Sequence, residues 1–288
     1  MWRLLVFGLA LAVFQPIADS FLAPLMSGIA RALGERIEAY PWITLVSILA
    51  ALTLALRTVD GAPWRSVGLG DGAWRPRALA TGAWVGAAAI LITFALLWLS
   101  GSARVVPVPV GDLQWSASSW QGTALRLAVL LAPAALWEEL LFRGYLWTVA
   151  DDAAGPRVAL WATAVAFGVV HLLNPGAGVL STTLVTVAGL CLGVLRERTG
   201  SLAAVWVAHF VWNWIMAAVL HVPVSGVPFD TPGYRTVVTG ASWWTGGAWG
   251  PEGGAAALLV MGGALAMSMR PALWKSNAGQ LRTENSSR

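Results

Sequence analysis

Long apolar runs, separated by short islands of charge, recur along the whole chain. Of the 288 residues, 57% are hydrophobic and only 11% are charged. As helices, runs of this length cross a hydrocarbon core of about 30 Å, whereas a membrane barrel would alternate over segments of about ten residues. None of the runs alternates over a useful length. The pattern therefore predicts an all-α fold, a polytopic transmembrane helical bundle.

About eight spans are predicted from these runs. They cover residues 4–30, 41–56, 78–100, 122–148, 157–173, 178–195, 201–220 and 254–270. With the N-terminus inside, the cytoplasmic segments carry twelve Lys and Arg residues and the outer segments carry four. Because basic segments are retained on the cytoplasmic side during insertion, we expect an integral, multi-pass protein with both termini in the cytoplasm.

One group of charged residues inside a predicted span is Glu138, Glu139 and Arg143. Ionised side chains at membrane depth are costly, so they persist where they are partnered or used. Glu139 and Arg143 are four residues apart on one helix face and able to pair, whereas Glu138 points about 100° away. Glu138 should therefore accept a proton readily in a polar cavity, which suits a general base. The alternative is a solvated cytoplasmic charge patch without function.

Two further polar pairs lie on neighbouring spans, Phe167 with His171 and His209 with Asn213. Taken singly, each is explained by a core histidine or by packing between helices. Measured from the assumed helix ends, however, Glu138, His171 and His209 lie roughly 16, 22 and 12 Å deep. Side chains and helix tilts can bridge that spread. We therefore expect the three groups to share one cavity.

Several classes of protein are disfavoured by the composition. The net charge of +4 is explained by basic residues in the segments between the spans. The sequence has no basic stripe interleaved with aromatic residues, which would indicate nucleic-acid binding. The single cysteine, Cys191, excludes an intramolecular disulfide and a multi-cysteine metal cage. Membrane lipids are the expected surroundings. The oligomeric state is left open.

The three motifs together resemble a known family. Glu138 to Arg143 is similar to its EExxxR motif, Phe167 to His171 to FxxxH, and His209 to Asn213 to HxxxN. The family is that of the CAAX protease and bacteriocin-processing (CPBP, or Abi) intramembrane endopeptidases. The resemblance covers about residues 120–215, and it implies a peptide or a membrane-anchored protein as substrate.

The resemblance also implies a role for each motif residue. Glu138, with His171, would activate a water molecule, and His209 with Asn213 would stabilise the oxyanion. The residues expected to support the site are Glu139, Arg143 and Phe167. Peptide hydrolysis needs an activated nucleophile, stabilisation of the oxyanion and a proton for the leaving amine, so this chemistry agrees with the residues present.

No cofactor is expected, although a zinc-dependent version of the protease is the first alternative. Glu138, His171 and His209 would be its ligands, since catalytic zinc sites keep three protein ligands and an open position. There is no His-Glu-x-x-His helix, and Arg143 would disfavour a dication unless Glu139 neutralised it. We therefore favour a metal-free glutamic mechanism. The remaining alternatives are a non-catalytic membrane scaffold or immunity protein and a proton-coupled transporter.

Three regions are predicted along the chain. Residues 1–115 hold N-terminal transmembrane helices and a basic cytoplasmic loop, and residues 116–220 hold a catalytic core of four helices. Residues 221–288 hold an outer loop, the last transmembrane helix and a cytoplasmic tail. Because the loop Val222–Gly254 is rich in Gly, Pro, Trp and Thr, we expect an irregular spacer there.

Overall fold

The computed structural model of the chain describes residues 2–33, 38–107, 119–229 and 231–268. The helices in these residues are α1 (Trp2–Leu33), α2 (Tyr40–Leu54), α3 (Pro76–Leu99), α4 (Trp120–Glu139), α5 (Trp147–Ala154), α6 (Pro156–Val170), α7 (Val179–Thr199), α8 (Leu202–Trp214), α9 (Ser242–Thr245) and α10 (Ala255–Ser268). Wider π-helical turns extend α2 over Ala55–Asp60, α4 over Leu140–Leu146 and α8 over Ile215–Val219. Two strands, β1 (Ala103–Pro107) and β2 (Tyr234–Val238), pair antiparallel.

Each predicted span coincides with a helix, and the helical membrane bundle is confirmed. Six helical segments are long and apolar enough to cross a membrane: Trp2–Ala32, Tyr40–Asp60, Pro76–Leu99, Pro156–Leu173, Val179–Thr199 and Leu202–Val219. Helix α4 falls outside this set, and so does α10, whose described part is apolar but has only 14 residues. The count of eight spans stays a prediction. The predicted cytoplasmic tail and the last two residues of the span 254–270 lie outside the described residues.

The outer loop is more ordered than the sequence analysis expected. Instead of an irregular spacer, the described part of Val222–Gly254 holds β2, α9 and the 3-10 turns Gly247–Trp249 and Pro251–Gly253. Gly246 and Gly250 adopt positive φ angles there, and such tight turns suit glycine. The prediction of a spacer was wrong, and over the described residues the fold is all-α apart from one two-stranded sheet.

Local signals in the sequence place the ends of the helices that carry the motifs. The Ser119 hydroxyl caps α4 by accepting the N–H of Gly122 at 3.2 Å, and the Ser201 hydroxyl caps α8 by accepting that of Ala204 at 2.9 Å. Helix α7 ends at Thr199 and is capped by Gly200, whose φ of 63° is left-handed. These ends fix where the polar motifs lie along the bundle.

Helices α3 and α8 pack with their backbones in close contact. Gly82 and Gly86 of α3 face the backbone carbonyls of Ala204 and Ala208 in α8, where a Cβ on either glycine would overlap those carbonyls. Small residues four apart allow such close approach between membrane helices. The contact at Ala208 holds the backbone of α8 against α3 directly before His209.

Two indole N–H groups attach α8 to α4. Trp206 donates to the Ala132 carbonyl at 2.9 Å, and Trp214 donates to the Ala124 carbonyl at 2.9 Å. The donors advance along α8 while the acceptors retreat along α4, so the two helices are antiparallel at this contact. The bonds hold the face of α8 that carries His209 beside the end of α4.

Candidate active site

An ion pair at the end of α4 forms the base of the site. The side chains of Glu139 and Arg143 are both 0% exposed. Arg143 Nη1 donates to Glu139 Oε1 at 2.9 Å and to Oε2 at 3.1 Å, and Nη2 donates to the Gly189 carbonyl of α7 at 3.2 Å. The pairing expected from their spacing is present. Buried charges need such partners, because removing them from water is expensive.

His209 joins α8 to this ion pair. Its Nδ1 lies 2.8 Å from Glu139 Oε1. Because a carboxylate only accepts, the Nδ1 nitrogen carries the proton of this bond. The other ring nitrogen, Nε2, lies 4.0 Å from Glu138 Oε2. Glu139 therefore orients the imidazole and turns its second nitrogen towards Glu138.

Glu138 differs from its neighbour in having no partner for one carboxylate oxygen. Its side chain is 18% exposed. Its Oε2 atom is buried and accepts no hydrogen bond from the described residues. The carboxylate lies within electrostatic range of both His209 and His171. A buried acceptor left free in this way is available to a bound water or substrate group.

Phe167 lies between the other groups of the site. Its ring centroid is 4.6 Å from that of His171 and 5.9 Å from that of His209, and Arg143 Cζ is 4.2 Å from it. His171 Nδ1 lies 2.7 Å from the Phe167 carbonyl and donates to it, which leaves Nε2 with the free lone pair. Phe142 packs edge-on against Phe167 with centroids 5.2 Å apart. The aromatic rings thus fix His171 at the end of α6.

Asn213 is the one predicted residue that no described contact joins to the others. It is half-buried on α8, one turn beyond His209. Its carboxamide makes no hydrogen bond with the described residues. The structure therefore brings together Glu138, Glu139, Arg143 and the two histidines around Phe167, and the helical spacing alone puts Asn213 on the His209 face.

Some features of the site were missed by the sequence analysis. The π-helical turns Leu140–Leu146 directly follow the two glutamates, and π turns often mark functional sites. The Gly189 carbonyl completes the Arg143 shell. Trp249 of the outer loop is buried in the cluster that contains Phe142 and Phe167. Backbone acceptors and distant loop residues leave no periodic signal in a sequence.

The zinc alternative is not favoured by the geometry. Within the part of the chain that the structure describes, no group of three or more His, Cys, Asp or Glu side chains is arranged to hold a metal ion. Glu138, His171 and His209 therefore do not form a three-ligand set that is ready to bind zinc.

The comparison with protein families agrees with this geometry. Residues 120–215 match the family model described as type II CAAX prenyl endopeptidase Rce1-like. This stretch is therefore similar to that family, and it is called the Rce1-like domain below. The Rce1-like domain contains all three motifs, and its limits agree with the resemblance drawn from the sequence. No curated protein and no solved structure gives a significant match to the chain.

The Rce1-like domain covers one third of the chain, and helices α4, α6, α7 and α8 lie within it. Each of these helices contributes a group to the site. At the level of the family, the match supports assignment as an intramembrane CAAX-type endopeptidase. The long apolar helices support assignment as an integral membrane protein. The orientation of the termini stays a prediction, as do the region boundaries at residues 116 and 220.

Proposed function

We propose that the chain is an intramembrane endopeptidase that cleaves a peptide bond with a water molecule activated by Glu138 and His171. The observation that carries this proposal is the buried, unpartnered Oε2 of Glu138, beside a histidine that Glu139 holds in one orientation. A free carboxylate next to a fixed imidazole is the arrangement that general acid–base catalysis requires. The Rce1-like domain supports the same reaction class.

The activation of water uses the two acceptors that the structure leaves free. Glu138 Oε2 accepts a proton from the water. The Nδ1–H of His171 donates a hydrogen bond to the Phe167 carbonyl. The unprotonated Nε2 of His171 can therefore accept a hydrogen bond from the same water. The water is then oriented by two acceptors and attacks the scissile carbonyl carbon.

Stabilisation of the oxyanion falls to α8. The proton taken by Glu138 passes to His209 Nε2, which lies 4.0 Å away, through a small approach of the side chains or through a water. The doubly protonated ring, held by Glu139 at Nδ1, then donates to the oxyanion or to the leaving amine. The Asn213 carboxamide provides the second donor to the oxyanion. In this scheme Glu139 and Arg143 touch no substrate and maintain the geometry.

The substrate we propose is the C-terminal segment of a lipid-modified CAAX-type protein or another membrane-anchored protein. A site enclosed by apolar helices favours substrates that are already in the membrane. The masses of the cleavage products would identify the peptide bond that is cut.

A cleavage assay with purified protein in lipid tests the proposal. The wild type is incubated with prenylated and unmodified CAAX peptides and with unrelated peptides, beside Glu138→Ala and His171→Ala. We expect products by mass spectrometry with the wild type only. Cleavage that persists in both variants overturns the assignment. Proton-coupled flux in liposomes without cleavage indicates a transporter, and neither activity indicates a scaffold.

Exhaustive chelation in the same assay separates the two versions of the protease. The metal-free mechanism predicts that cleavage survives chelation and is lost in Glu138→Ala. If chelation abolishes cleavage and zinc specifically restores it, the reaction is zinc-dependent, and the metal-free mechanism is wrong.

A further inference from the structure

The helix that carries the two glutamates changes its hydrogen-bond pattern directly after them. Across the π-helical turns Leu140–Leu146, the Trp147 N–H donates to the carbonyl of Phe142, five residues back, and to that of Gly144. In a regular α-helix the same N–H would donate to the carbonyl of Arg143. The π turn thus removes the usual donor from the Arg143 carbonyl. A buried carbonyl without a donor is costly.

Arg196, near the end of α7, supplies a replacement donor. Its Nε donates to the Arg143 carbonyl at 3.3 Å. The guanidinium is also within electrostatic range of Asp151 in α5. Arg196 therefore bonds to the backbone of the residue whose side chain holds Glu139.

The loop before α3 leaves space for this guanidinium. Gly68 is buried at a φ of +83°, and a Cβ at that position would overlap the Arg196 guanidinium. The same loop accepts hydrogen bonds at the Gly68 carbonyl from Leu202 N at 3.0 Å and at the Ser66 carbonyl from Thr148 Oγ1 at 3.0 Å. The loop therefore contacts both α8 and the helix that follows the π turn.

We propose that Arg196 is a positioning residue that holds the π-helical register of the catalytic helix, an inference that rests on the proposed peptidase function. A change of one residue in register rotates a helix by about 100°. Without the donor from Arg196, the stretch Leu140–Leu146 relaxes towards a regular α-helix. Arg143 then shifts relative to Glu139, and Glu139 no longer aligns His209.

The first test is the steady-state kinetics of Arg196 variants in the cleavage assay. Arg196→Met removes the donor and keeps an apolar stem, and we expect kcat to fall about 10- to 100-fold, as for a misplacement near 1 Å. KM should stay within about twofold, because no substrate contact is lost. Arg196→Lys restores a donor and should recover part of kcat. Arg198→Met is the matched control on the same helix, since Arg198 donates to the Ser268 carbonyl instead, and it should leave kcat unchanged.

A pair of glycine variants tests the same contact from the other side. Gly68→Ala pushes the guanidinium away and should reproduce the loss of kcat. Gly61→Ala introduces the same kind of backbone strain, at a φ of +58°, but nothing lies within 4 Å of its Cβ. Gly61→Ala should therefore keep kcat near the wild-type value.

Nitrogen-15 NMR of the histidines provides a readout that needs no turnover. Arg196→Met should change the Nδ1 signal of His209, which reports the bond to Glu139, whereas Arg198→Met should not. If the wild type cleaves and Arg196→Met leaves both kcat and this signal unchanged, the positioning role is wrong while the peptidase stands. If no peptide is cleaved but the signal changes as stated, the peptidase assignment fails and the structural role of Arg196 survives.

Discussion

At the scale of single residues, two adjacent glutamates have opposite environments. Glu139 is fully buried and bonded to Arg143 and His209, whereas Glu138 keeps one buried oxygen without a donor. Adjacent residues of a helix point in different directions, so the two glutamates have different neighbours. This difference could be predicted, because Glu139 and Arg143 are four residues apart and lie on one helix face. The bond from His209 could not, because it joins residues 70 positions apart on different helices.

Removal of the Glu139 charge should destabilise the fold as well as the site. Glu139→Gln removes the carboxylate that is hydrogen-bonded to the buried Arg143, so the free energy of unfolding should fall by about 3–5 kcal/mol. Denaturant unfolding of the protein in detergent micelles measures the change. Glu197→Gln, at a partly exposed glutamate of α7, is the control and should change it by less than about 1 kcal/mol. Equal stability of Glu139→Gln and the wild type would contradict the network described here.

At the scale of elements, the position of α8 determines whether the site exists. The contacts of Gly82 and Gly86 with α8, and the indole bonds from Trp206 and Trp214 to α4, hold His209 opposite the glutamates. These contacts were not predicted. The chain has 31 glycines and 18 tryptophans, so neither residue type distinguishes a packing contact from a lipid-facing position.

A methyl group added at Gly86 should separate α3 from α8. Gly86→Ala would overlap the Ala208 carbonyl, so the helices must move apart at a cost of about 1–3 kcal/mol. We expect a lower melting temperature and a lower kcat, since His209 follows Ala208. Gly8→Ala is the matched helical control, because nothing lies within 4 Å of its Cβ, and the substitution should be neutral or slightly stabilising. If both variants behave like the wild type, the close α3–α8 contact is wrong.

At the scale of the whole molecule, the apolar runs and the three motifs carried most of the prediction. The helical bundle, the places of the predicted spans and the Rce1-like domain all follow from signals that are local in sequence. The prediction that failed, that of an irregular outer loop, concerns residues that are ordered by contacts distant in sequence. The outer loop is ordered because β2 pairs with β1, more than a hundred residues earlier, and because Trp249 packs beside Phe167. Orientation, cofactor use and substrate stay predictions.

We propose that Glu138 activates the hydrolytic water at a site to which four helices contribute. The kcat of Glu138→Gln in the peptide cleavage assay tests it most directly, because this substitution keeps the size of the side chain and removes its basic oxygen. We predict a kcat about 10²- to 10⁴-fold below that of the wild type, the range for loss of a general base, with an unchanged melting temperature. A folded Glu138→Gln protein whose kcat stays within about tenfold of the wild type would contradict the claim.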